Sequence, residues 1–259
     1  MEAYQIALAS VVGLIFGSFG TVVSHRLVRG MDVVRGRSMC PVCGRQIAAA
    51  ENIPVLSYLV QRGRCKHCGA PISARYPLAE AVTGILFGLA VWKFGLSLEA
   101  AVYAAFFWAL VVLTVIDLEH KLLPNKIVYP AFVAGTIGLS AAALVNGAPE
   151  RIRDLGVGAL IFGGFFFVIA FIYPAGMGGG DVKLGFVLGA FLGYLGGPGV
   201  VVTGMFLSFV MGGVAGMLTI ALAGGGRKTA LPFGPFLALG TVVAIFVGER
   251  LFAAYMGTL

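Results

Sequence analysis

Gly176-Met177-Gly178-Gly179-Gly180-Asp181-Val182-Lys183-Leu184 is the stretch on which the fold turns. An acid follows a run of glycines and stands at the head of a long apolar segment. Carboxylates are costly beside hydrocarbon, so one that is kept there is a functional candidate by default. A second acid, Asp117, closes another apolar segment in Thr114-Val115-Ile116-Asp117-Leu118-Glu119-His120-Lys121. Working outward from this pair gives eight apolar stretches, roughly 4–24, 78–96, 98–116, 127–146, 154–173, 182–197, 199–223 and 234–255. A helix needs about 20 apolar residues to cross a bilayer. The breaks carry loop chemistry, as in Leu123-Pro124-Asn125, Pro174-Ala175-Gly176, Gly196-Gly197-Pro198-Gly199 and Gly224-Gly225-Gly226. The expected fold is an all-α polytopic membrane protein with about eight transmembrane helices.

Composition agrees. Of 259 residues, 59% are hydrophobic and 11% charged, against about 25% charged in a soluble domain. The net charge of +7 does not point to nucleic acid, because the basic residues sit between apolar runs, where they orient a membrane protein. The first stretch lacks the basic leader of a signal peptide, since Met1-Glu2-Ala3 precedes it and His25-Arg26 and Arg29 follow. It reads as a retained helix with its N-terminus outside. Alternating the spans from there puts fourteen Lys and Arg on the inner face, among them Arg35, Arg37, Arg227 and Lys228. Four remain outside (Lys93, Arg151, Arg153 and Arg250). Asp117 and Asp181 then share the cytosolic side.

Residues 25–77 form the one long polar stretch and hold every cysteine, as Cys40-Pro41-Val42-Cys43 and Cys65-Lys66-His67-Cys68. Each pair is followed by glycine, Gly44 and Gly69. Two such knuckles can place four thiolates around one zinc ion. Two disulfides or four free thiols are the alternatives, and a reducing cytosol disfavours disulfides. So small an insert can hardly build a core, so metal would supply folding energy.

Asp117 can also be read as a solvated residue at a helix end, and Asp181 as an N-cap. Capping needs no preceding glycines, whereas Gly178, Gly179 and Gly180 would let the main chain of a peptide come close. Two carboxyls a few ångströms apart cannot both ionise readily and share one proton. The ionised member can then draw a proton from water that attacks a peptide carbonyl, while its partner protonates the carbonyl oxygen. His25, His67 and His120 lie in loops beside basic residues and form no Ser-His-Asp arrangement. Gly185, Gly189 and Gly193 read as a helix-packing stripe.

Several further motifs occur in order along the chain. They are Gly17-Ser18-Phe19, His25-Arg26-Leu27, Asn52-Ile53-Pro54-Val55-Leu56-Ser57-Tyr58-Leu59, Arg62-Gly63-Arg64-Cys65, Ile72-Ser73-Ala74-Arg75-Tyr76-Pro77 with Glu80, and Pro232-Phe233-Gly234-Pro235. With the cysteine pairs and both acids, they resemble the type IV prepilin peptidases, the bifunctional leader peptidase/N-methyltransferases of pilus and type II secretion systems. The resemblance implies a GxGD-type aspartyl protease with Asp117 and Asp181 as the catalytic pair. It implies cutting of prepilins and pseudopilins after glycine, at the cytosolic face of the bacterial inner membrane. It also implies methylation of the new N-terminus by S-adenosylmethionine, for which no glycine-rich nucleotide loop is found. Gly20-Thr21 stands where the family usually shows Leu-Asn, and Asn125 where it often shows Asp. The expected organisation is a first helix (1–24), a zinc insert associated with methyl transfer (25–77) and a membrane peptidase domain (78–259), with lipid as a partner. Two other readings compete: a preflagellin- or signal-peptide-type GxGD protease, and a transporter or scaffold with acids in an ion path.

Overall fold

The computed structural model describes residues 2–33, 36, 38–174, 177–223 and 232–257. Ala175, Gly176, Arg35, Arg37, Gly224-Gly225-Gly226, Arg227 and Lys228 lie outside the described residues. Among those described, long helices dominate: α1 (Ala3–Val28), a short α2 (Leu56–Val60), α3 (Arg75–Phe94), α4 (Leu98–His120), α5 (Asn125–Val145), α6 (Glu150–Ile172), α7 (Gly179–Ala223) and α8 (Gly234–Gly257). Seven of these are long and apolar enough to cross a membrane.

The difference from eight has a local cause. As one helix, the 45 residues of α7 would run about 68 Å at 1.5 Å per residue, far beyond a hydrocarbon core of about 30 Å. The backbone breaks at Gly196 (φ −152°, ψ 27°) and Gly197 (φ 62°, ψ −156°), just before Pro198. Proline is tolerated at the start of a helix and not within one. α7 is therefore two helical segments, joined where the glycines and proline lead a sequence reading to expect a break.

The chain forms two compact units, 1–116 and 117–259. In the first, α1 crosses α3 closely: a Cβ on Gly17 would sit 2.7 Å from the Glu80 Cα, and one on Gly13 would sit 2.8 Å from the Gly84 Cα. The Trp108 indole N–H donates to the Phe16 carbonyl at 2.8 Å, tying α4 to α1. In the second unit, the glycine stripe packs as expected. A Cβ on Gly189 would overlap the Gly158 carbonyl and lie 2.7 Å from the Phe162 Cβ, and one on Gly193 would lie 2.9 Å from the Gly158 Cα. Lipid tails are as apolar as leucine, so van der Waals contact of this kind drives membrane helices together. Gly189→Ala should therefore cost about 1–3 kcal/mol, seen as a lower unfolding temperature in detergent. Gly216→Ala, where a Cβ meets nothing within 4 Å, should be nearly silent.

Candidate active site and metal centre

α4 does not stop at Asp117. It runs on to His120 and ends where Lys121 takes a left-handed φ of 53°, with the Lys121 N–H donating to the Asp117 carbonyl at 2.9 Å. Asp117 thus sits in the last turn of a helix. It is 5% exposed, which excludes the reading of a solvated end residue.

Its carboxylate is met by another helix. The Gly234 N–H, at the start of α8, donates to Asp117 Oδ2 at 3.1 Å. A helix start leaves several N–H groups without intrahelical partners and favours negative charge. Here Pro235 has no N–H, and those of Phe236 and Leu237 return to the Phe233 carbonyl. Gly234 supplies the donor that reaches the acid. Only a residue without a side chain can do so, because a Cβ there would lie 2.6 Å from Asp117 Oδ2.

Asp181 is half-buried in the first turn of α7, three residues beyond the N-cap position, Gly178. Its carboxylate turns back to the Gly178 backbone, and its N–H donates to the Gly178 carbonyl at 3.0 Å. Capping and chemistry are therefore compatible in one residue. Asp117 and Asp181 are drawn to one locality by shared neighbours. Leu123 helps join the two helix starts: a Cβ on Gly180 would lie 3.0 Å from the Leu123 Cβ, and one on Gly234 would lie 3.4 Å from the Leu123 Cδ2. On the other side, Gly178 and Gly179 are exposed, and a Cβ on Gly179 would meet nothing within 4 Å. An open strip of main chain adjoins Asp181. Lys183, next along α7, is held by the Asn125 side-chain oxygen at 3.1 Å and lies over the Tyr129 ring.

The insert repeats one motif twice. Cys40 and Cys65 donate their N–H groups to the carbonyls of Arg45 and Ala70, and receive those of Gly44 and Gly69. Isolated bridges Met39–Gln46 and Arg64–Pro71 close the knuckles, and Gly44 and Gly69 take φ of 67° and 71°. The four Sγ atoms of Cys40, Cys43, Cys65 and Cys68 lie within 4.8 Å of one another, with Cys40 and Cys68 at 3.9 Å. Zinc–sulfur bonds of about 2.3 Å set tetrahedral sulfur–sulfur edges of about 3.8 Å, so the donor set fits a metal ion such as zinc. The sulfurs are not bonded as disulfides. Backbone N–H groups of Cys43 and Val42 lower the Cys40 thiol to about 6, toward the thiolate a metal takes. His67 is not a ligand. Its Nδ1 faces the Arg45 guanidinium at 3.0 Å and its Nε2 faces Glu51 at 3.5 Å, bracing one knuckle on the other.

S-adenosylmethionine would need acceptors for a sulfonium, a ribose and an amino-acid head. A cavity of about 790 Å³ in the first unit is lined mainly by apolar side chains such as Leu8, Val12, Phe87 and Val91, with Gln5 and Ser97 as its amide and hydroxyl groups. That lining does not fit such a molecule.

A polytopic helical protein with an acid at each of two helix ends and a four-thiol insert is a narrow class. Residues 11–94 match the bacterial peptidase A24 N-terminal domain, and residues 104–217 match the type IV leader peptidase family. A prepilin leader peptidase/N-methyltransferase of Pseudomonas putida is 36% identical over 98% of this chain and 94% of its own. One from Bacillus subtilis (strain 168) is 36% identical over 97% and 98%, and one from Myxococcus xanthus is 38% identical over 83% and 63%. No solved structure matches. The chain belongs to the type IV leader peptidase family, which sets aside a transporter or scaffold.

Sequence reasoning singled out Asp117, Asp181 and the cysteines as candidates but gave Gly234 and Leu123 no part in the site. The signal for Gly234 was its place just ahead of Pro235, where a helix begins. Gly234→Ala should displace the Asp117 carboxylate and lower leader-peptidase turnover by about 10²-fold, measured as kcat on a leader-bearing substrate. Cys68→Ser, or a strong chelator, should release metal and expose 38–72 to protease, read by metal analysis and limited digestion.

Proposed function

We propose that this protein is a membrane-embedded aspartyl endopeptidase that removes the short basic leader of type IV prepilins and pilin-like secretion proteins after glycine, then methylates the new N-terminus. The observation that carries the reading is the convergence of Asp117 and Asp181 within one compact unit, each at a helix terminus, with Leu123 lying against both the start of α7 and the glycine that binds Asp117. One carboxylate takes a proton from a water molecule as it attacks the scissile carbonyl carbon. The other gives its proton to the carbonyl oxygen, and the collapsing intermediate returns a proton to the departing amine. The Gly234 N–H holds the Asp117 carboxylate in place. The exposed Gly178-Gly179 backbone gives the substrate main chain a place to lie. The family membership favours a pilin-type leader over preflagellins or signal-peptide remnants.

The substrate fits a bilayer. A pilin precursor carries an apolar helix that lies among lipids, while its basic leader stays by anionic headgroups. The cut then falls at the interface, where both acids end their apolar helices. The active site faces the cytosol in the bacterial inner membrane, an orientation supported by the excess of Arg and Lys on that face. The insert, residues 25–77, holds zinc on its four thiolates and serves the methyl-transfer half, while the peptidase lies within 78–259. The insert is too basic to attract a basic leader by charge and rests on lipid headgroups instead. S-adenosylmethionine as donor rests on the family resemblance alone.

Asp117→Asn and Asp181→Asn, made separately, should each lower cleavage of a pilin precursor by about 10²–10⁴-fold, with metal content and unfolding temperature unchanged. Near-normal cleavage by either variant removes that residue from the mechanism.

A further inference from the structure

Val55 has a backbone that β-branched residues rarely adopt, φ 61° and ψ −49°. The Leu56 N–H returns to the Pro54 carbonyl at 2.6 Å, closing a γ-turn of the rare, strained hand. Such outliers persist only where their surroundings hold them, and they gather at ligand clamps and active sites. The surroundings here are explicit. Ser57 Oγ accepts the Ile53 N–H at 2.9 Å and donates to the Ala50 carbonyl at 3.1 Å. Gln61 Nε2 donates to the Glu51 carbonyl at 3.2 Å.

The strained turn aims the Val55 N–H at Glu80 Oε2, 2.7 Å away. Glu80 lies near the start of α3 and is only 8% exposed. Among the described residues no cation pairs with it, and Val55 is the donor it has. Its other oxygen has no partner yet is not sealed from the surface. Burying a carboxylate without a counter-charge is unfavourable. A neutral Gln could tie down the Val55 turn equally well, so the tie alone does not account for an acid. Residues 25–80 carry three acids, Asp32, Glu51 and Glu80. Asp32 is exposed, and Glu51 is committed to the Ala48 N–H, Lys66 and His67. Glu80 is the sheltered carboxylate with capacity left.

We propose that Glu80 and the Val55 turn form a binding site for a primary ammonium group, and that its ligand is the α-ammonium exposed at the new N-terminus when the leader is removed. This rests on the function given above. The insert is dense in Arg and Lys, so cations do not gather there without a built carboxylate. A terminal ammonium is small enough for a site 8% exposed, and its three N–H donors suit the unpaired oxygen. The uncut precursor has no free amine at this position, so the site distinguishes product from precursor.

The test uses the full chain in nanodiscs of phosphatidylcholine and phosphatidylglycerol, which offer no primary amine. Two synthetic peptides of the leader-free pilin N-terminus are compared, one with a free amine and one acetylated. The wild type should bind the free-amine peptide about 10- to 100-fold more tightly. Glu80→Gln keeps an oxygen for the Val55 N–H, so it should erase that preference while metal content and unfolding temperature stay as in the wild type. The site is overturned if the preference survives Glu80→Gln or is missing in the wild type. It is also overturned if the variant loses its metal, since Glu80 would then be a structural tie. If phosphatidylethanolamine in the nanodisc abolishes the preference, the ligand is a lipid amine and the peptide assignment fails. A wild type that cleaves and methylates a precursor yet binds both peptides alike sinks only the Glu80 site. One that does neither sinks the functional reading instead.

Discussion

A carboxylate at the end of an apolar helix must be given a donor, and the second unit is built around that need. Asp117 is almost fully buried, in a turn whose own backbone groups are used by the helix. Its donor comes from the first residue of α8. That one bond dictates a good deal of sequence. The donor must be glycine to let Oδ2 approach, and the next residue can be proline because its amide is not wanted. Leu123 then fills the space between the starts of α7 and α8. Asp181 is served separately by the opening turn of its own helix. The two acids are thus each held by backbone dipoles, which do not reorganise when charge moves.

Much of this was legible in the sequence, for physical reasons. Apolar length, loop chemistry and the bias of Lys and Arg specify membrane helices almost without tertiary context. The thiol pairs were readable because a Cys-x-x-Cys turn followed by glycine is local geometry, and the structure repeats it at Cys40 and Cys65 with the same hydrogen bonds. The glycine stripe of Gly185, Gly189 and Gly193 was readable as packing because its spacing places it on one helix face. Helix ends were less legible. Asp117 looked terminal because Glu119, His120 and Lys121 are polar, yet the helix continues until Lys121 takes a left-handed φ. Contacts between distant segments were not legible at all. Gly234 meets Asp117 across 117 positions of chain, and no local pattern announces that meeting.

The first unit solves a different problem with the same means. Its insert buries little apolar material, leaving Val42, Ile53, Leu56, Leu59 and Val60 exposed, so it relies on cross-links. The four thiols draw the knuckles together, Arg45, His67 and Glu51 brace them, and the Glu51 carbonyl reaches Gln61. From there Ser57 and the Val55 turn lead to Glu80 on α3. This chain of contacts runs from the four-thiol cluster to a membrane helix.

The strain at Val55 makes sense only within that chain. A β-branched residue at positive φ costs about 1–3 kcal/mol, which an isolated loop of this size would relieve by relaxing. The bonds from Ser57 and Glu80 oppose that relaxation, and they are firm only if the segment carrying them is itself fixed. Metal held by the thiols would fix it. Folding free energy released by metal binding at the cysteines would then be felt at the Val55 amide through the bonds of Gln61, Ser57 and Glu80. Such a tie would let so small an insert keep a strained backbone, and the loop that carries the strain lies between the two cysteine pairs.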